Sequence, residues 1–334
     1  MNTDGPVTLF LTDADVRKVF DWKLAVAALR SAYGAAEDPN RYPVRSMARG
    51  DGVWLRTLSG VSSDGRLMGA KLIAASMRRK RASYLIPLFD QESVDLLALL
   101  DGNSITGLRT AATSALAADC LAPARPLQVA VIGSGFEASM HLRALVELRP
   151  VAGVRVYSPN PSSRARYVAQ FREMGVAVTS ADSAPEAVEG ADLVICAARS
   201  RDETPTLLGR WLSPGTTVVS IGSTLPEQRE VDAEVIARAD RIVADMVEEV
   251  VHDTGDMLAA KQAGVAFDHK VVSLAAVVGG RHPGRTSERE ILLYKSVGSG
   301  LQDLAVAAMC YTRAVERSVV TPLPVTIAPV DKSK

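Results

Sequence analysis

The sequence has few of the residues on which metal and disulfide chemistry depend. Its 334 residues include three cysteines, Cys120, Cys196 and Cys310, and four histidines. The cysteines are far apart, show no metal-ligand spacing and lie in apolar surroundings. That excludes a disulfide framework and marks them as buried free thiols of a reducing cytoplasm. The scattered histidines argue against a metal site. Charge of one sign is missing as well: 38 basic residues balance 38 acidic ones. The electrostatic footprint of a nucleic-acid binder is therefore absent, and the run Arg78-Arg79-Lys80-Arg81 reads as a solvated loop. No apolar run is long enough to span a bilayer. The opening residues MNTDGPVTLF carry no basic stretch followed by an apolar core, so no signal peptide is expected. What is left, 47% hydrophobic and 23% charged residues, is the composition of an ordinary globular protein with length for two domains.

The most informative stretch present is VAVIGSGFEASMHLRAL, residues 129–145. Apolar β-formers end in Gly133-Ser134-Gly135-Phe136-Glu137-Ala138, and an amphipathic helical pattern begins at once. Strand, glycine turn and helix make up the first unit of a dinucleotide-binding fold. Gly133 permits the tight turn, Gly135 lets the backbone approach a pyrophosphate, and Ala138 allows close helix–sheet packing. The segment including Phe136 and Glu137 then offers helix N-terminal amides to the phosphate, with the Glu137 carboxylate turned to solvent. His141, one turn on, reads as a structural or surface residue.

Strand and helix patterns alternate over residues 126–245. Strands are expected at 128–133, 154–158, 176–180, 192–197, 216–222 and 241–245, with helices such as 162–174 and 232–239 between them. This is an α/β, doubly wound parallel sheet of the Rossmann type. The first 125 residues read as two helical stretches within 13–36, four β-like runs (52–58, 67–75, 83–90, 95–100) forming an antiparallel meander, and a helix at 103–121 capped by Asn103 or Ser104. After residue 246 the pattern is helical, with a long stretch at 285–317 broken at Gly298-Ser299-Gly300. The expected organisation is a Rossmann domain (126–284) inserted into an α+β domain (1–125 plus 285–320) that carries the antiparallel sheet. An irregular tail (321–334) follows.

Two further features bear on ligands. The second strand runs into Tyr157-Ser158-Pro159-Asn160, with Arg164 and Arg166 following. There is no carboxylate to clamp a ribose 2′-hydroxyl, while Ser158, Asn160 and Arg164 suit a 2′-phosphate, so NADP is favoured and NAD remains possible. Outside this domain three basic residues stand out: Arg45, Lys71 and Arg109. Lys71 lies in the apolar strand Leu67-Met68-Gly69-Ala70-Lys71-Leu72-Ile73. A lysine there snorkels to solvent, is buried against an anion, or is buried without its proton. Arg109 interrupts a small-residue helix face and can hold a carboxylate by two parallel bonds. A pocket joining all three reads as a carboxylate site.

The segments MGAKLIAAS (68–76), LLALLDGNSITGLRTAATSALAADCLA (96–122), VAVIGSGFEASMHLRAL (129–145), IGSTLPEQREVD (221–232), DTGDMLAA (253–260) and LYKSVGSGLQDLA (293–305) resemble the ornithine cyclodeaminase/mu-crystallin family, in family order. The resemblance implies a homodimer with an inserted nucleotide domain and a dimerising β domain. It also implies nicotinamide hydride transfer on α-imino or α-amino acids. Arg45, Lys71 and Arg109 would then serve the substrate carboxylate region and Thr110 the cofactor phosphates. Val297 and Gly298 would lie near the nicotinamide, with Asp303 following on its helix. Ala197 and Ser223 complete the candidate cofactor set, and Glu230 and Asp232 are read as shaping their loop.

One departure separates the activities. In the family it resembles, cyclodeaminases and the related alanine dehydrogenases carry an Asp in the turn after the fifth strand, whereas this sequence reads Gly222-Ser223-Thr224-Leu225-Pro226. A hydroxyl cannot act as an ionised base at neutral pH, so Thr224 argues for imine reduction or is simply a turn residue. The expected reaction is NAD(P)H-dependent reduction of a small cyclic ketimine, a pyrroline- or piperideine-2-carboxylate, to the amino acid. Arg45 and Arg109 would hold the carboxylate, and Lys71, or a water held by Thr224, would supply the proton. The alternatives are an amino-acid dehydrogenase or linear imine reductase, a cyclodeaminase in which Asp256 replaces the missing acid, and a non-catalytic nucleotide-binding protein. A cytoplasmic enzyme with no metal, membrane or nucleic-acid partner is expected.

Overall fold

The structure, a computed structural model, describes residues 7–325 and 327–332. These form two compact units. One comprises the described residues up to Thr110 and from Ser299 onward; the other is Ala111–Gly298.

The first unit opens with β1 (Leu9–Leu11), α1 (Asp13–Val19) and α2 (Trp22–Gly34). Thr12 starts α1 with a reciprocal capping box to Asp15, and Asp21 caps α2 by accepting the Leu24 amide. β2 (Ser46–Gly50), β3 (Val53–Val61), β4 (Leu67–Ser76), β5 (Arg81–Asp90) and β6 (Leu96–Asp101) follow as an antiparallel meander. The strands alternate, so directly paired residues share a face. Leu58, Lys71 and Ile73 are buried on one face, while Val53, Leu55 and Leu85 leave an apolar surface exposed on the other. β1 joins β6 in parallel, an addition too short to show as alternation in the sequence.

α3 (Asn103–Leu121) has the extent expected of it, but neither Asn103 nor Ser104 is its cap. The Asn103 amide donates to Asp101 Oδ1 (2.9 Å) and the Ser104 amide to Asp13 Oδ1 (2.9 Å). Carboxylates upstream thus satisfy the orphan donors. The first boundary between units falls inside this helix, at Thr110/Ala111 rather than at 125/126.

The second unit contains β7 (Leu127–Ile132), α4 (Phe136–Leu148), β8 (Val151–Tyr157), α5 (Pro161–Glu173), β9 (Val178–Ser180), α6 (Ala184–Val188), β10 (Leu193–Cys196), β11 (Thr217–Ser220), α7 (Ala233–Arg238), β12 (Arg241–Ala244), α8 (Val247–Asp253), α9 (Gly255–Gln262), β13 (Val271–Ser273), α10 (Leu274–Val278) and β14 (Leu292–Lys295). The eight strands pair in parallel in the order β13-β12-β14-β11-β10-β7-β8-β9. Chain order reverses between β7 and β10, which makes the carboxyl ends of those strands the topological switch point. The core is apolar on both sides of the sheet, as a parallel sheet requires.

The segment after residue 246 departs from the helical expectation. β13 extends the sheet edge, and β14 inserts between β11 and β12. All four β14 residues are buried. A fully buried strand presents a continuous apolar run, which periodicity cannot tell from a buried helix. The second boundary therefore falls at Gly298/Ser299, not at 284/285.

α11 (Gly300–Glu316) returns to the first unit and packs on α2, β3 and β4. β15 (Thr321–Pro322) pairs with β1, so the expected irregular tail contributes a short edge strand. Residues 326, 333 and 334 of that tail lie outside the described residues. Among the described residues no helix is long and apolar enough to cross a membrane, and no cluster of His, Cys, Asp and Glu could hold a metal ion.

Candidate active site

In the first unit the N-terminus of α11 meets the β-sheet at very short range. Gly300 lies so close to the Ser59 carbonyl of β3 that any Cβ would clash with it. That approach sets the first turn of α11, with Gln302 and Asp303, against the inner face of β4. Lys71, 1% exposed, places its Nζ 2.7 Å from Asp303 Oδ1. Arg109, from α3, places its Nε 3.0 Å from the same oxygen, and its Nη1 donates to Gln302 Oε1. Gln302 Nε2 in turn donates to the Tyr33 hydroxyl of α2 at 2.8 Å. Two cations therefore share one buried carboxylate, and Asp303 Oδ2 is buried with no hydrogen-bond partner among the described residues.

Burial pulls the Lys71 ammonium down to about 8, and the neighbouring Arg109 acts in the same direction; Asp303 opposes both, and Arg56 adds to the lowering. The cross-strand row Met47–Arg56–Ile73–Tyr84 lies on the same face as Lys71. Arg45 immediately precedes β2, one residue before the Ser46–Thr57 pair, and is half-buried. Lys71 and Arg109 thus meet, as a carboxylate site needs, and Arg45 stands at the edge of the same sheet. Thr110 Oγ1 donates back to the Thr106 carbonyl at 2.8 Å. A cavity of about 640 Å³ elsewhere in this unit, lined by Ala28, Leu304, Ala308 and Met309, contains none of the clustered ionic groups.

In the second unit Gly133 has φ +117°, a conformation that favours glycine. Its neighbour Gly135 begins α4 without a side-chain cap, and a Cβ there would meet nothing within 4 Å. An open space in front of uncapped helix amides is what a pyrophosphate requires, so these residues fit a dinucleotide. Ala138 is buried and Phe136 exposed. Glu137 is partly exposed, 3.8 Å from the His141 ring. His141 itself is buried: Nδ1 donates to the Glu137 carbonyl (2.7 Å) and Nε2 accepts from Ser114 Oγ (3.1 Å).

Ser134 and Ser158 hydroxyls bond each other at 2.7 Å across the ends of β7 and β8. Asn160 caps α5 by accepting the Ser163 amide. Arg164 donates to the Ser158 carbonyl (2.6 Å) and Ser180 Oγ (2.9 Å), and its guanidinium lies over the Tyr157 ring. Arg166 bonds Ser163 on the surface.

Ala197 follows β10, its amide bonded to the Ile132 carbonyl. Ser223 is fully buried and its hydroxyl donates to the Gln228 carbonyl (2.6 Å), so its side chain holds its own turn. Thr224 likewise directs both its amide and its hydroxyl to Gln228 Oε1, at 3.0 and 3.1 Å. Asp245 accepts the amides of Val297 and Gly298, the latter at φ +83°, and the Ser296 hydroxyl. Asp256 is fully buried and accepts the Glu230 and Val231 amides, which leaves it a tie rather than an accessible acid.

Sequence reasoning did not single out Gln302 or Asp303 as members of the Lys71 cluster, nor Lys295. The available signal was Lys71 itself, because a buried lysine demands an anion somewhere. An eight-stranded parallel sheet with a glycine turn at its switch point defines a Rossmann-type nucleotide-binding protein, here with the first unit built around a buried cationic site. The chain belongs to the ornithine cyclodeaminase/mu-crystallin family, whose profile matches residues 29–318. It is 30% identical over 246 residues to a Δ1-pyrroline-2-carboxylate reductase of Bacillus cereus, covering 72% of this chain and 74% of the relative. It is 30% identical over 257 residues to an ornithine cyclodeaminase of Agrobacterium fabrum, covering 75% and 70%. The solved Δ1-pyrroline-2-carboxylate reductase of Thermococcus litoralis, in complex with NADH and L-proline, superposes with a TM-score of 0.86 at 27% identity, covering 95% of this chain and 100% of that one.

Proposed function

We propose that this chain is an NAD(P)H-dependent imine reductase that converts a small cyclic ketimine carboxylate, of the pyrroline- or piperideine-2-carboxylate type, into the cyclic amino acid. The observation that carries this reading is the convergence of Lys71 and Arg109 on Asp303 in a buried site. Two buried cations gathered in one place suit the carboxylate of a substrate. Arg109, with Arg45 from the sheet edge, orients that carboxylate. Lys71 protonates the imine nitrogen: its lowered affinity for the proton makes it an effective acid near neutral pH, and Asp303 keeps it charged until then. A bound NAD(P)H would supply the hydride for the imine carbon, and Lys71 the proton for its nitrogen, so that C=N would become CH–NH.

Reduction is favoured over cyclodeamination because Thr224 offers no ionisable base and Asp256 is a buried tie. We assign NADPH as the preferred cofactor. The end of β8 carries no carboxylate, and Arg164 is held there by Ser158 and Ser180. The exposed apolar sheet face with Val53, Leu55 and Leu85 supports a homodimer, and the three free thiols suit a cytoplasmic setting.

The test is NAD(P)H oxidation over a panel of cyclic imino acids, with pyruvate plus ammonia as the open-chain control. Turnover of cyclic substrates with higher kcat/KM for NADPH is the expected result. Ammonia release from ornithine, or turnover of only the open-chain mixture, would overturn the reading. A higher kcat/KM for NADH would overturn the cofactor assignment alone, and a monomer in light scattering would remove the homodimer.

A further inference from the structure

The parallel sheet of the second unit opens its ligand crevice at the carboxyl ends of β7 and β10. The walls there are the turn Gly133-Ser134-Gly135 after β7 and the segment Ala197-Ala198 after β10. They touch: a Cβ on Gly133 would stand 2.7 Å from the Ala197 carbonyl oxygen and 3.1 Å from Ala198 Cβ. The second wall is held by a side chain from another loop. Glu230, completely buried, accepts the Ala198 amide at Oε1 (3.2 Å). At Oε2 it accepts the Ile221 and Gly222 amides (both 2.8 Å) and the Ser220 hydroxyl (2.7 Å). One carboxylate thus ties the end of β10 to the end of β11 and to the turn that carries Ser223 and Thr224.

Glu230 is itself fixed from below. Asp256 Oδ1, from α9, accepts the Glu230 amide at 2.8 Å. Lys295 Nζ, at the end of β14, stands 2.9 Å from Asp256 Oδ2 and donates to Ser220 Oγ at 2.9 Å. Arg229 Nε lies 3.4 Å from Asp256 at the outer rim. Gly222 is needed for this approach, since a Cβ there would be 2.5 Å from Glu230 Oε1.

We propose that Glu230 is a positioning residue for dinucleotide binding: its ionised carboxylate holds the crevice wall opposite Gly133, and protonation releases that wall. Four donors face its two oxygens, so a protonated carboxyl, which must itself donate, cannot satisfy them all. The inference rests on the reading of this unit as a nicotinamide dinucleotide site. Burial pushes the Glu230 carboxyl up to about 7, with Asp256 acting in the same direction and Lys295, Ser220 and the Gly222 amide opposing. From β10 the Cys196 thiol also faces it, and burial with Glu230 nearby holds that thiol well above its usual range, neutral throughout. Glu230 is therefore a group that changes charge near neutral pH.

The experiment is a fluorescence titration of the full chain with NADPH and with NADH, from about pH 6 to about pH 8.5, comparing wild type with Glu230→Gln. Ionisation of the 2′-phosphate is common to both proteins and cancels in the ratio of their Kd values. The ratio is expected to be near one at the acid end and to rise to on the order of tenfold at the alkaline end. A role confined to stability would lower Tm and leave the ratio flat, and a flat ratio overturns the proposal. If Glu230→Gln does not fold, Ser220→Ala keeps the charge and removes one donor to it. The pH midpoint of dinucleotide binding by Ser220→Ala should lie above that of the wild type, and an unmoved midpoint overturns the proposal equally. Failure of the wild type to bind either dinucleotide would overturn the underlying reading, and this inference with it; binding that ignores Glu230 would overturn the inference alone.

Discussion

Each unit buries a lysine against an aspartate, and the two clusters are built to opposite ends. In the first unit two cations, Lys71 and Arg109, share the one carboxylate of Asp303, whose second oxygen has no hydrogen-bond partner among the described residues. In the second unit Lys295 and Arg229 stand against Asp256 beside Glu230, so cations and carboxylates balance, and the carboxylates also accept backbone amides of residues 198, 221, 222, 230 and 231. Both sets are removed from water, at a cost that only pairing and hydrogen bonds offset. The difference shows which cluster is finished. Carboxylates held by several main-chain donors and a buried lysine tie loops together. Two buried cations gathered at one carboxylate suit the substrate carboxylate proposed for this unit.

The largest effect expected from breaking this contrast is on chemistry. Lys71→Met should lower kcat for the cyclic imine by about a hundredfold to ten-thousandfold, with the Kd for NADPH unchanged in a binding titration. A rise in KM alone would make Lys71 an anchor rather than a proton donor.

Next comes Asp303→Asn, which leaves two buried cations without their carboxylate. Urea denaturation should show a loss of about 3–5 kcal/mol. The pH–rate profile sharpens the same point. Wild-type activity should fall as pH rises through about 8, where Lys71 loses its proton. In Asp303→Asn the fall should begin at lower pH, because Asp303 is the group that raises the lysine's proton affinity.

In the finished cluster, Gly222→Ala pushes a methyl group into the Glu230 carboxylate and should cost about 1–3 kcal/mol of stability, measured by thermal or urea unfolding. The smallest effect belongs to Thr224→Ala. Its hydroxyl donates within its own turn, so the loss should be about 1 kcal/mol or less and kcat should change only a few-fold. A drop comparable to that of Lys71→Met would instead place Thr224 in the proton path.

Much of this architecture was legible from local patterns. The glycine turn at Gly133, the strand–helix alternation after it and the full span of α3 are written in neighbouring residues, through backbone conformation and periodicity. Lys71 was legible too, as an anomaly: a lysine within an apolar strand. The identity of its partner was not, because Asp303 lies 232 positions away. β14 was missed for a related reason. A strand buried on both faces shows no alternation, and its place between β11 and β12 follows from sheet order, which no local run records. Asn160 and Ser223 carry polar groups of the type a cofactor site uses, but the structure turns those groups to a helix cap and a turn.

The sequence by itself determined the fold class, the dinucleotide turn and the family, since these depend on residue types and on spacings of a few positions. The tertiary structure alone decided which buried charges meet: Lys71 with Asp303 and Arg109, and Lys295 with Asp256. The energy of a buried charge depends on distance, on exclusion of water and on the donors around it, and all three arise only when remote segments pack together.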